Sequence, residues 1–257
     1  MIASRKILGL VFITFALSSF AQTTTWTGNG NGLFWDDGSN WNNGSPSSSS
    51  GAVFNTTTGE TGYSVDFAIA SLAFNSGVGV GDKITGLGGA ALTVNGAITN
   101  NTANLQVLNT IVNAGTNATW TGPIQYSNIV NVGTRQITLA GTQTFTGSNL
   151  NFDITNLSTF GHFLGSGTAT VTGVTINIGG AYTGSSGDTF DFTTGNFSGA
   201  TLGSLPTLSG GLSWNTSSFI SSGVLSVVSA IPEPSTYAAI FGAAAIGFGV
   251  WRKRRKA

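Results

Sequence analysis

Short runs that alternate polar and apolar residues, cut every few positions by Gly and Asn, constrain this chain more than any other feature. Ala91-Leu92-Thr93-Val94-Asn95, Arg135-Gln136-Ile137-Thr138-Leu139 and Val174-Thr175-Ile176-Asn177-Ile178 show the pattern. A period of two sends alternate side chains to one face, as in a half-buried strand. Val, Ile, Thr and Phe suit a pleated surface. Gly and Asn supply turns, because both tolerate positive φ. Between the termini no 3.6-residue period stands out. Leu105 to Val112 has helical apolar spacing, but its Asn, Thr and β-branched neighbours favour strand. The body is expected to be all-β.

Two all-β architectures fit short strands at close spacing: a parallel β-helix and a β-sandwich. The β-helix is favoured on two grounds. Asn is abundant at turn positions, where stacked coils can form side-chain ladders, and charge is almost absent, as suits side chains stacked on their like. Coils of about 20 residues would give on the order of ten.

The opening Thr25-Trp26-Thr27-Gly28, then Phe34-Trp35-Asp36, Ser39-Asn40-Trp41-Asn42, Gly44 and Pro46 resembles the start of autotransporter-like β-helix proteins with autotransporter-associated repeats. Leu92 to Asn101 (LTVNGAITNN) is similar to one of their coils. Gly187-Asp188-Thr189-Phe190-Asp191-Phe192, Leu205-Pro206 and Gly211-Leu212-Ser213-Trp214-Asn215 look like their closing region, which ends in the strand Gly223 to Val227. The resemblance implies a β-helix over most of residues 22–229.

Charge is distributed unevenly. Seven of the nine cations lie near the two ends. Between Thr23 and Ala230 only Lys83 and Arg135 oppose eight acids, a net charge of −6. Nucleic-acid binding needs clustered Lys and Arg, which this body lacks. There is no cysteine, so an exported body must be held by its own core.

Met1 to Ala21 reads as a secretory signal. Arg5 and Lys6 precede an apolar run, Ile7 to Phe20, and Ser19-Phe20-Ala21 places small residues for a signal peptidase acting between Ala21 and Gln22.

The stretch 230–257 has three parts: Pro232-Glu233-Pro234, an uncharged run at about 235–251, and Arg252, Lys253, Arg254, Arg255 and Lys256. The run would form roughly 25 Å of helix, at the short end of a bilayer span. Tyr237 and Trp251 bracket it, and the basic residues would stay on the cytoplasmic side. The two prolines favour extended backbone around Glu233, which an enzyme can read. The order of these parts resembles the PEP-CTERM sorting domain of exported bacterial proteins. That resemblance implies recognition at Pro232, Glu233 and Pro234 by an exosortase, a transpeptidase-like membrane protease. It further implies a membrane-anchored precursor whose body passes to the cell surface or extracellular matrix. The alternative is an ordinary single-span anchor with a proline-rich stalk.

Few residues in the body invite chemistry. Trp26, Trp35 and Trp41 are candidates for stacking on sugars of a matrix exopolysaccharide, or for capping the open end of a β-helix. Asp36, Asp37 and Asn40, with Gly38, could offer oxygen ligands to Ca²⁺, but Asx turns account for the same residues. Asp188 and Asp191 form a weaker pair of that kind. His162 is the only histidine and has no cysteine partner or serine motif beside it. No carboxylate pair stands out for glycoside hydrolysis. The expectation is therefore no catalytic residue, no metal and no cofactor. The role is structural or adhesive, with a glycan-binding module as the alternative and a polysaccharide-degrading enzyme behind it.

Overall fold

A computed structural model describes residues 22–146, 149–229 and 234–255. The signal segment 1–21, Pro232, Glu233 and Lys256 lie outside them.

Three parallel sheets make up the body. Face one holds Gln22–Thr25, Ser50–Phe54, Leu72–Phe74, Ile98–Asn100, Ala118–Thr121, Gln136–Ala140 and His162–Leu164. Face two holds Glu60–Tyr63, Lys83–Gly86, Gln106–Asn109, Ile124–Tyr126, Thr142–Thr146 and Thr168–Thr172. Face three holds Phe67–Ile69, Ala91–Val94, Ile111–Ala114, Val130–Gly133, Asn149–Asn156, Thr175–Gly179 and Thr201–Leu202. From Ser50 to Gly179 the chain visits the faces in fixed rotation, so each strand pairs with the strand one circuit later. Sandwiches of the immunoglobulin kind pair antiparallel strands; the parallel register on all three faces removes that alternative.

Register follows from the period of two. On face three Phe67, Leu92, Val112, Val130, Leu150, Ile176 and Leu202 stand in one column. On face two Thr61, Ile84, Leu108, Tyr126, Phe145 and Val171 do the same. A slip of one residue would turn a whole column outward. Each fully buried aliphatic side chain contributes roughly 1.5–3 kcal/mol, so the pattern enforces the register. Leu105 to Val112, the one ambiguous stretch, is split between two strands.

Asn ladders run along the outside. Asn131 donates to Asn113 at 2.7 Å, Asn151 to Asn131 at 2.6 Å and Asn177 to Asn151 at 3.0 Å. A second ladder joins Asn101, Asn75 and Asn55 at 2.9 and 2.8 Å. Circuits vary in length: Val112 pairs with Val130, 18 residues on, whereas Gln22 pairs with Ser50, 28 on. The expected ten coils are therefore too many, because corner loops lengthen most circuits.

Polar side chains also enter the core. Gln143 is fully buried; it donates to the Gly122 carbonyl at 2.7 Å and accepts from the Tyr126 hydroxyl at 3.0 Å. Burial raises the Tyr126 phenol well above its ordinary pKa. Tyr63, raised likewise by burial, meets Thr110, which donates to the Ala90 carbonyl at 3.0 Å.

The two ends are finished differently. At the N-terminal end the loop between the first two strands folds over the interior, with Trp35 bonded to Gly62 of face two at 2.9 Å. At the other end Thr189–Asp191, Val224–Ser229 and Leu212–Asn215 form a small antiparallel sheet. A one-turn helix, Phe219–Ser222, lies between the last two of these in sequence and ends at Gly223, whose φ of 73° favours glycine.

Candidate functional site: the C-terminal tail and the tryptophan loop

Pro234–Arg254 forms a 21-residue helix. Proline is tolerated as its first residue, where no N–H is required. Ile240, Phe241, Ile246 and Phe248 are exposed, as are Tyr237 and Trp251 near its two ends. Ala238, Ala239 and Ala243 to Ala245 fill positions between them, so no polar stripe runs along the helix. Phe248 packs on Trp251 at 5.6 Å, and the Arg255 guanidinium lies 4.2 Å over the Trp251 ring. Arg252, Arg254 and Arg255 are exposed beyond the apolar run.

Among the described residues no helix is long and apolar enough to cross a membrane. This corrects the expectation of a clear bilayer span at about 235–251. The apolar run is diluted by five alanines and by Gly242, Gly247 and Gly249, and it meets Ser235 and Thr236 at one end and arginine at the other. Of the motif residues, Pro234 opens the helix, while Pro232 and Glu233 lie outside the described residues.

The tryptophans fit the capping reading, not the sugar-stacking one. Trp35 is fully buried, and Trp26 and Trp41 are about 5 % exposed or less. Trp41 packs edge-on against both, with ring centroids 5.0 Å from Trp26 and 5.4 Å from Trp35. Trp35 donates to Thr61 at 3.2 Å, and Trp41 donates to the Trp35 carbonyl at 3.0 Å. With rings buried and these two indole N–H groups engaged, the cluster offers no face on which a sugar could stack. The cause is the loop around Asn40. Its side chain accepts from the Gly30 and Gly32 amides at 3.0 and 2.9 Å and donates to Asn31 and to the Phe34 carbonyl, both at 2.9 Å. These four bonds draw residues 30–40 over the indoles.

Of the candidate cation ligands on this loop, Asp37 and Asn40 are likewise committed within the fold. Asp37 accepts from the Asn31 and Ser39 amides, both at 3.0 Å, and those bonds hold its carboxyl below the ordinary range. Asn40 is used as above. The geometry is that of Asx turns. At the far end Asp188 accepts from the Tyr182 hydroxyl and from the Ser185 amide at 2.8 Å, while Asp191 accepts from Thr193 at 3.3 Å. Tyr182 is pushed up to about 12, by burial first and by Asp188 second. The His162 ring stacks on Phe160 at 4.7 Å, with Nδ1 3.1 Å from the Phe160 carbonyl. Lys83 and Glu60 pair at 3.1 Å beside Thr85, and Glu60 is held low first by Thr85 and then by Lys83.

What stands apart from the body is the tail: a helix apolar all round, exposed, and ending in cations. Such an element is a sorting or anchoring address. Residues 230–255 match the PEP-CTERM protein-sorting motif, which marks an exported chain handled by an exosortase. No curated protein and no solved structure matches the chain.

Proposed function

We propose that the chain is an exported protein with a structural or adhesive role at the cell surface or in the extracellular matrix, and that its tail is an address cut by an exosortase near Pro232-Glu233-Pro234. The match over residues 230–255 carries the reading. The exposed apolar helix supports it, since an element without a polar face needs an apolar surrounding. Arg252 to Lys256 would hold that end against an anionic membrane surface. A helix this short and this rich in Ala and Gly is a weak anchor, which suits a precursor destined for release. Signal peptidase, cutting after Ala21, would act first.

The body is read as a parallel β-helix, the three faces being its sides. The fixed rotation of strands and the stacked Asn ladders support that architecture. Its role is read as non-enzymatic, supported by the prior engagement of His162, Asp37 and Asp188 within the fold.

Intact mass of the exported protein tests the proposal. A C-terminus near residues 232–234 is expected. Retention of Arg252 to Ala257 on the surface form would overturn processing and leave a tethered protein.

A further inference from the structure

The last circuit is too short to complete face two. One circuit earlier the count is even: Ile137 pairs with Phe163 and Thr146 with Thr172, nine residues apart on both levels. On the next level Phe163 bridges Thr193 and the Gly173 amide bonds the Gly199 carbonyl at 3.0 Å. The lower path between these anchors takes ten residues and the upper path six. Six residues reach at most about 20 Å, so residues 193–199 cut across the corner rather than follow the strand below.

The shortcut leaves a cleft of about 460 Å³ between Thr168–Thr172 and the segment 193–198. No charged side chain lines it; Ser166, Thr168, Thr170, Thr194, Asn196 and Ser198 supply its polar groups. One wall is an open sheet edge. Thr168 donates to the Gly141 carbonyl at 3.0 Å, which turns the main-chain groups of Thr168, Thr170 and Thr172 toward Thr142–Thr146. Alternation in a parallel ladder turns both main-chain groups of Ala169 and the Val171 N–H toward the cleft, while the Val171 carbonyl lies against Gly199. Among the described residues, Thr142–Thr146 is the one strand paired with Thr168–Thr172.

We propose that this cleft accepts an extended, uncharged peptide as an added strand beside Thr168–Thr172. Unused main-chain donors and acceptors along a strand select a polypeptide in the β conformation. The absence of charge selects a neutral one. The four residues by which the upper path falls short make room for a short strand of about that length. The chain's own segment 193–198 cannot fill the gap, because both its ends are pinned.

The probe is a labelled, acetylated copy of Thr142–Thr146, the sequence that pairs with the other edge of the same strand, titrated into the full chain in detergent. Binding is expected, and a copy methylated on alternate backbone nitrogens should bind at least tenfold more weakly. Ala169→Pro removes an N–H facing the cleft while sparing the bonds to Thr142–Thr146, and should weaken binding to a similar degree. Should that variant misfold, inserting Thr-Ala-Thr-Val between Gly195 and Asn196 decides: the chain then fills its own gap, and binding should vanish. No binding by the parent, undiminished binding by the insertion variant, or preference for a neutral hexasaccharide that the peptide does not displace would each overturn the proposal.

Discussion

The two ends of the body solve one problem in opposite ways. Both must cover an apolar interior that the stacked circuits leave open. The N-terminal end uses one loop: three indoles are packed together, and a single amide, Asn40, ties the loop by four hydrogen bonds. The C-terminal end spreads the task over Tyr182, Phe190, Phe192, Phe197, Trp214 and Phe219, carried on a small antiparallel sheet, a one-turn helix and the loops between. A concentrated cap should fail at one residue. A distributed cap should tolerate single losses.

Trp35→Ala should have the largest effect, a loss of about 3–5 kcal/mol, read by urea unfolding followed through circular dichroism. A loss below about 1.5 kcal/mol would break the contrast between the ends. Asn40→Ala should lose about 2–3 kcal/mol, since several hydrogen bonds of a buried amide go together. Asn215→Ala at the other end, where the side chain accepts from Ser217 at an exposed turn, should lose well under about 1 kcal/mol. Equal losses would mean that Asn40 is not a hub. Asn151→Ala interrupts the long ladder midway between the ends, with an expected loss of about 1 kcal/mol. That value sets the scale of an ordinary coil contact.

The smallest effects are of pH, and they separate the ends by direction. Asp37 is held below its ordinary value of 3.8 by backbone donors. Its contribution is present above that value and is lost as pH falls through its lower folded one. Tyr182 is raised from 10.0 to about 12, so its contribution is complete below pH 10 and lost as pH climbs toward 12. Asp37→Asn should flatten the acid limb of stability, and Tyr182→Phe the alkaline limb. If either variant changed the opposite limb, the assignment of those groups to separate ends would fail.

Much of this was legible in the residues. Ala91–Val94, Gln136–Ala140 and Thr175–Gly179 lie within one residue of the alternating runs that announce them. The Asn ladder follows from placing Asn113, Asn131, Asn151 and Asn177 at the same outward position of successive strands. The circuit count did not follow, because corner loops between 18- and 28-residue repeats carry no period. For Trp26, Trp35 and Trp41 capping was one of two readings, and the residues alone did not decide between them. Asn40 looks like any turn asparagine until Gly30 and Gly32 are seen folded onto it. The buried polar pair Gln143 and Tyr126 was missed although a signal exists: Gln143 shares the inward parity of Phe145 in Thr142–Thr146. The tail was readable because its order of parts is local. The chain's shortfall after Thr193 was not, because it appears only when two levels are compared.

The junction between body and tail fixes how the molecule meets force. Val224–Ser229 is the central strand of the closing sheet, and the tail begins almost at once after it. A load applied to the C-terminal end of the body would therefore enter through that strand. The bonds between circuits lie along the stack, so tension along it peels circuits one after another from the C-terminal side and does not shear many bonds together. The molecule would lengthen stepwise under load, and the tryptophan-capped end would be the last to open.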